Sequence, residues 1–307
     1  MARAPCSCMS ICAQTLCMAF FMKNQIKEKL MGGVFFVAAL SSIIAVLLIC
    51  LFLFANGFPA MSKIGVFNFL LGRDWAPTDN PAGFGILPMI LGSLYVTAGA
   101  IIVGVPIGIL TAVFMARMCP AWLYKIAKPA LNLLAGIPSI VYGFFGLMVL
   151  VPFMQDVFGG TGKSILTASI LLGIMILPTI IGISESAIRA VPNSYYEGAL
   201  ALGASHNRSV YFALVPAAKS GIFASVVLGI GRAIGETMAV IMVAGNQARM
   251  PAGIFKGVRT LTANIVMEMG YAADLHREAL IATGVVLFIF ILLINLSFSF
   301  IKGRMTK

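Results

Sequence analysis

Five stretches of this chain run for twenty or more residues without a charged side chain. They lie between Lys29 and Lys63, Asp79 and Arg117, Lys128 and Asp156, Lys163 and Glu185, and Glu278 and Lys302. A helix crosses a bilayer in about 20 residues, so each stretch is long enough to span one. A sixth stretch, between Lys219 and Arg249, holds only two charges, Arg232 and Glu236. The expected fold is an all-α integral membrane protein with six transmembrane helices, near 32–54, 87–116, 130–153, 164–184, 218–244 and 279–301.

The two charges in the fifth span are the first candidate site. At 1.5 Å per residue they lie about 20–26 Å along a helix from Lys219. A charge at that depth costs several kcal/mol and usually faces a bundle interior or a polar path. A spacing of four puts both side chains on one helix face. Arg232 would offer its planar fork to an anion in passage, with Glu236 as a counter-charge that prevents trapping. Alternatively the two neutralise each other, or each binds a neighbouring subunit.

Composition agrees with a membrane protein. Apolar residues make up 60% of the chain and charged residues 10%, where a soluble domain carries about 25%. The net charge of +11 raises the question of nucleic acid, but the charges are not arranged as a phosphate-binding stripe. With both termini cytoplasmic, thirteen basic residues fall in inside segments and seven in outside loops. That is the positive-inside signal. Of six cysteines, Cys6, Cys8, Cys12 and Cys17 cluster near the start. They lack paired C-x-x-C spacing and a nearby histidine, so no metal site is expected. Met22 opens a short basic leader into the first span. Residues 1–21 are accordingly expected to be an N-terminal extension from a misplaced start.

Prolines and glycines mark where the spans bend and touch. Gly136-Ile137-Pro138-Ser139 reads as a kink packed inside the bundle, where neighbours satisfy the freed backbone. Gly92, Gly99, Gly104 and Gly108 suggest close helix contacts in span two. Trp75 and the phenylalanines of the 55–85 loop read as interfacial aromatics. Gly159 to Ser164 imitates a nucleotide-binding P-loop, but Val157 stands where that pattern needs glycine, and no strand precedes it. The loop between spans four and five, 185–217, predicts a helix of about eight residues. Ser194 and Glu197 form a capping-box pattern, and Gly203 suits the helix end. Ala199, Leu200 and Leu202 would form an apolar face, which either meets a partner groove or packs under the bundle.

These residues also carry a resemblance. Glu197-Gly198-Ala199, Gly203 and Ala213-Leu214-Val215-Pro216 resemble the E-A-A…G…I-x-L-P loop of ABC importer permeases. Gly198, Ala213 and Val215 stand where that pattern has alanine, isoleucine and leucine. Leu134 to Gly143, Gly231 to Val240, Arg259 to Ile265 and Leu275 to Ile281 resemble phosphate-specific permeases of the PstC type. The likeness runs from about residue 24 to the C-terminus.

The resemblance implies a type I importer permease with a MetI-like bundle in the cell inner membrane. On that reading residues 22–86 hold the leader, first helix and outside loop. Residues 87–307 form a permease core whose coupling loop is 185–217. Glu197, Gly198, Ala199 and Gly203 would serve ATPase coupling, Gly136, Pro138 and Ser139 the helix kink, and Arg232 and Glu236 the substrate path. The implied partners are a PstA-like permease, two cytoplasmic ATPase subunits and an extracytoplasmic phosphate-binding protein. ATP and Mg would be used on the ATPase, leaving this chain a non-catalytic transport subunit without a cofactor, moving inorganic phosphate inward by alternating access. Other readings are a permease for sulfate, molybdate or another oxyanion, a stand-alone secondary transporter, and a membrane-embedded enzyme. A transporter working alone often shows inverted repeats, and none is visible. His206 and His276 are expected on opposite sides, so they assemble no catalytic set.

Overall fold

The computed structural model describes residues 7–305, with side chains at 28 and 30–300. The chain divides into two units at Ala55/Asn56. The first unit is helical throughout its described part, within α1 (Ser7–Ile64). The side chains of residues 1–21, on which the expected extension and the cysteine cluster rest, lie outside the described ones.

The second unit carries the bundle. After α1 come α2 (Val66–Leu71) and a two-stranded antiparallel hairpin, β1 (Trp75–Ala76) against β2 (Gly83–Phe84). Then follow α3 (Leu87–Val113), α4 (Ala121–Gly136), α5 (Ser139–Phe145), α6 (Val151–Phe158) and α7 (Ile165–Arg189). The loop after α7 holds α8 (Asn193–Ala201), α9 (His206–Ser209) and α10 (Val215–Ala217). The chain closes with α11 (Lys219–Gly235), α12 (Met238–Val243), α13 (Leu261–Glu268) and α14 (Asp274–Met305). Three π-helical turns, Phe114–Met118, Gly146–Leu150 and Val210–Leu214, extend α3, join α5 to α6 and join α9 to α10.

Five helices are long and apolar enough to cross a membrane, and a sixth span arises if His206–Ala217 and Lys219–Gly235, bent by 69°, count as one. Five of the six expected spans thus have a crossing helix, the expected fifth has a counterpart only as the bent pair, and the third and fifth are built differently. The expected third span, 130–153, is cut after α4. Ile137 and Pro138 are extended, at φ −68°, ψ 126° and φ −58°, ψ 141°. Proline lacks the N–H and pushes the preceding residue out of the helical region. The kink is thus a full interruption, and the crossing helix is Ser139–Phe158. Gly136 and Pro138 are exposed rather than packed inside, because it is the next turn, Tyr142 and Gly143, that enters the core.

The expected fifth span, 218–244, is cut in the same way. α11 ends at Gly235, and Glu236 is extended at φ −70°, ψ 131°. Local bonds hold the break open. Ala239 N–H donates to Glu236 Oε1 at 3.3 Å, Thr237 Oγ1 donates to Gly235 O at 3.2 Å, and Thr262 Oγ1 donates to Glu236 O at 3.1 Å. The freed backbone groups are met by side chains, which makes such a break affordable at membrane depth.

α7 is the axis of the bundle, with α3 along one side and α11 along another. A Cβ on Gly104 would sit 2.9 Å from Gly173 O, and one on Gly108 would sit 2.8 Å from Ile180 Cγ2. Gly99 faces Ser169. These are the close contacts expected of small residues. Gly92 instead meets the Arg259 carbonyl of the 245–260 loop. Polar groups between helices are paired: Ser169 Oγ donates to Val96 O at 3.2 Å, and Ser184 and Ser225 share a 2.6 Å hydrogen bond. One end of the bundle carries the hairpin and the 245–273 segment, whose Ile254 and Lys256 carbonyls accept from Leu166 and Ile165 at the start of α7. The other end carries α4 and the 190–217 loop.

Candidate translocation site and coupling loop

Arg232 sits in the last turn of α11 with an exposed side chain. Among the described residues no carboxylate forms an ion pair with it. The expected arrangement of Arg232 and Glu236 on one helix face is therefore corrected. The helix stops between them, and the half-buried Glu236 turns its carboxylate to the first turn of α12.

The two breaks lie at one place in the bundle. α5 follows the first and α12 the second, and a Cβ on Gly143 would sit 2.9 Å from Ala239 Cα. Tyr142 belongs to the same core cluster as Ala233 and Ala239. Its hydroxyl donates to Leu134 O at 2.8 Å, bridging from α5 back to α4. Arg232 is near enough for its charge to act on the Tyr142 phenol. Ser139 opens α5 and is half-buried. So Gly136, Pro138 and Ser139 at one break, and Arg232 and Glu236 at the other, flank a pair of touching half-helices. The arrangement offers an unpaired guanidinium beside interrupted backbone, which suits transient binding of an anion.

The loop residues stand apart from this site, about 20 Å away along α11 from Lys219 to Arg232. α8 forms where the sequence predicts a helix, but its cap differs. Pro192 is the N-cap, with no side-chain hydrogen bond. Ser194 lies inside the helix, two positions past the cap, because Pro192 already supplies the extended entry. The C-terminus is as expected. Gly203 has φ +82°, its N–H donates to Leu200 O at 2.9 Å, and Ala204 N–H donates to Ala199 O at 3.1 Å. That is the Schellman pattern, which requires a left-handed residue. Glu197 and Gly198 are exposed, Ala199 is half-buried and Leu202 is 91% exposed. Tyr196 Oη and His206 Nδ1 are 2.7 Å apart and tie α8 to α9, while Arg117 Nη1 donates to Asn193 Oδ1 at 3.1 Å.

Two polar clusters escaped the sequence reading. At the loop end of α7, Glu185 is 1% exposed and accepts from Tyr124 Oη at 2.7 Å, Lys128 Nζ at 2.5 Å and Arg189 Nε at 2.8 Å. Its carboxylate raises the Tyr124 phenol above its ordinary value, helped by burial. The E-x-x-x-R spacing of Glu185 and Arg189 was a usable signal. At the opposite end Glu268 accepts from Arg259 Nη1, from Trp75 Nε1 at 2.8 Å and meets His276 Nε2 at 2.9 Å. Trp75 is buried there, not an interfacial anchor, because its indole N–H finds a buried carboxylate. His206 and His276 lie in different clusters at opposite ends, as expected.

Helix breaks facing each other in a bundle, together with a short exposed helix between two spans, define a class. The fold is that of type I, MetI-like ABC importer permeases. Residues 104–307 match the family described as binding-protein-dependent transport system inner membrane component, and the chain belongs to it. It is similar to the probable ABC transporter permease protein YqgH of Bacillus subtilis, 42% identical over 84% of this chain and 86% of that one. It is similar also to the phosphate transport system permease protein PstC of Mesorhizobium japonicum, 37% identical over 79% of this chain and 80% of that one. Among solved structures, the bacterial alginate ABC transporter matches at TM-score 0.64 and 15% identity, covering 89% of this chain and 95% of that one. The inward-facing MetNI methionine ABC transporter matches at TM-score 0.60 and 21% identity, covering 72% and 96%.

Proposed function

We propose that this chain is the transmembrane subunit of an importer that moves inorganic phosphate into the cytoplasm. The observation that carries the reading is Arg232, an exposed guanidinium at a helix break, without a carboxylate partner among the described residues. Its planar fork matches two oxygens of a tetrahedral oxyanion. The similarity to PstC relatives supports phosphate as that oxyanion. The exposed face that Arg232 shares would be completed by a second, PstA-like permease. Two cytoplasmic ATPases would dock on α8 and the matching helix of that partner, and an extracytoplasmic binding protein would deliver phosphate to the opposite end. ATP, with Mg, would be consumed on the ATPase, and alternating access would follow from movement at the two breaks. The membrane would be the cell inner membrane, with both termini cytoplasmic.

Uptake of radiolabelled phosphate into proteoliposomes holding the assembled complex tests the proposal. ATP-dependent uptake that excess sulfate and molybdate do not compete away is the expected result. Uptake of sulfate or molybdate in preference to phosphate would instead assign the site to another oxyanion.

A further inference from the structure

A basic cleft opens at the loop end of the bundle. It encloses about 430 Å³ and is lined by Arg117, Lys125, Arg189 and Tyr124, with Met115 and Ala116 among its walls and no acidic side chain. Glu185, the nearest carboxylate, is already engaged by Tyr124, Lys128 and Arg189. Arg117 is half-buried in the wall of the cleft, and its Nη1 is anchored by Asn193 Oδ1 at 3.1 Å. Arg189 is held in place by Glu185, by the Met115 carbonyl at 2.9 Å and by stacking 4.5 Å over the Tyr124 ring. Lys125 is exposed.

The surroundings are apolar and face outward. Leu110 on α3, Phe114 in the π-helical turn that follows it, and Trp122 and Ile126 on α4 are exposed. A cationic cleft beside an apolar surface and an exposed tryptophan has the chemistry of a headgroup pocket at a membrane boundary. We infer that this cleft binds a phosphate-bearing anion, either the headgroup of an anionic phospholipid or free inorganic phosphate. The same Arg117 donates to Asn193, the first residue of α8. Occupancy would therefore bear on the loop helix. The inference stands whichever solute the permease carries.

The test uses the complex purified from membranes, in phosphatidylcholine nanodiscs with or without phosphatidylglycerol. Native mass spectrometry reads retained phosphatidylglycerol, and equilibrium dialysis in pure phosphatidylcholine reads inorganic phosphate. Lys125→Gln is expected to weaken binding about fivefold, and adding Arg117→Gln about fivefold more. Arg208→Gln, a cation at the same end but outside the cleft, should leave binding unchanged. Loss confined to the lipid arm identifies a headgroup site, and loss in the dialysis arm identifies a phosphate site. Equal binding by Lys125→Gln and Arg208→Gln, or no binding in either arm, overturns the inference. Lys125 is exposed and forms no hydrogen bond or ion pair among the described residues, so a folding defect does not cloud its result.

Discussion

The chain contains two arginine–glutamate pairs at a spacing of four in apolar helices, and they meet opposite fates. Glu185 and Arg189 form an ion pair at 2.8 Å, with Tyr124 and Lys128 completing the shell. Arg232 and Glu236 do not pair. The difference is helix continuity. α7 runs unbroken to Arg189, so the four-residue spacing brings the two side chains together. α11 stops at Gly235, and Glu236 leaves the helix. The first pair is closed and structural. The second leaves a cation available, which is what an anion path requires.

The largest effect expected from disturbing this contrast is at the closed pair. Glu185→Ala leaves Lys128 and Arg189 without their shared acceptor; because these cations are 30% and 44% exposed and can turn to water, the cost is about 1.5–3 kcal/mol, that of a lost charged hydrogen bond, rather than that of a fully buried pair. Thermal unfolding of the purified complex should show a clear loss of stability and a reduced yield of assembled protein. Unchanged stability would mean that Glu185 is not the keystone its burial suggests.

At the open pair the effect moves from stability to transport. Arg232→Lys keeps the charge and loses the fork, so uptake per assembled complex is expected to fall about tenfold, equivalent to roughly one good charged hydrogen bond. Glu236→Gln retains an oxygen that accepts from Ala239 N–H, so assembly should persist while uptake changes. Normal uptake by both variants would remove the pair from the transport path.

A smaller effect is expected at the loop. Gly203→Val forces a β-branched residue to φ +82°, at about 1–2 kcal/mol. That is small beside the bundle but enough to displace α8, so the variant should insert normally and co-purify with less ATPase. Ser194→Ala should do least, within about 0.5 kcal/mol, because Ser194 caps nothing. A loss as large as that of Gly203→Val would restore the capping role.

These contrasts show what was legible in the sequence. Five crossing helices, and a sixth as a bent pair, were readable because hydrophobicity over some 20 residues is a bulk property that tertiary contacts seldom override. The first interruption was legible as a kink at Pro138 but not as a full break, and the second was not legible, because Glu236 leaves the helix for reasons distributed over several residues. Pro138 removes one backbone donor, while the second break depends on Thr262, far along the chain. The Gly203 turn was legible because its backbone angle admits few residues. Trp75 was misread because its partner, Glu268, is remote in sequence. The unpaired state of Arg232 follows from the break, which the four-residue spacing alone does not reveal.

The shell around Glu185 also bears on how the protein is made. Tyr124 and Lys128 precede Glu185 in the chain, and Arg189 follows within one turn. Ribosomal synthesis therefore delivers every donor to the membrane before α11, α12 or α14 exists. The most deeply buried carboxylate can be neutralised as soon as α7 emerges, without waiting for the rest of the bundle. The neutralisation of Glu185 is in this respect complete within the segment that ends at Arg189, before the later helices follow.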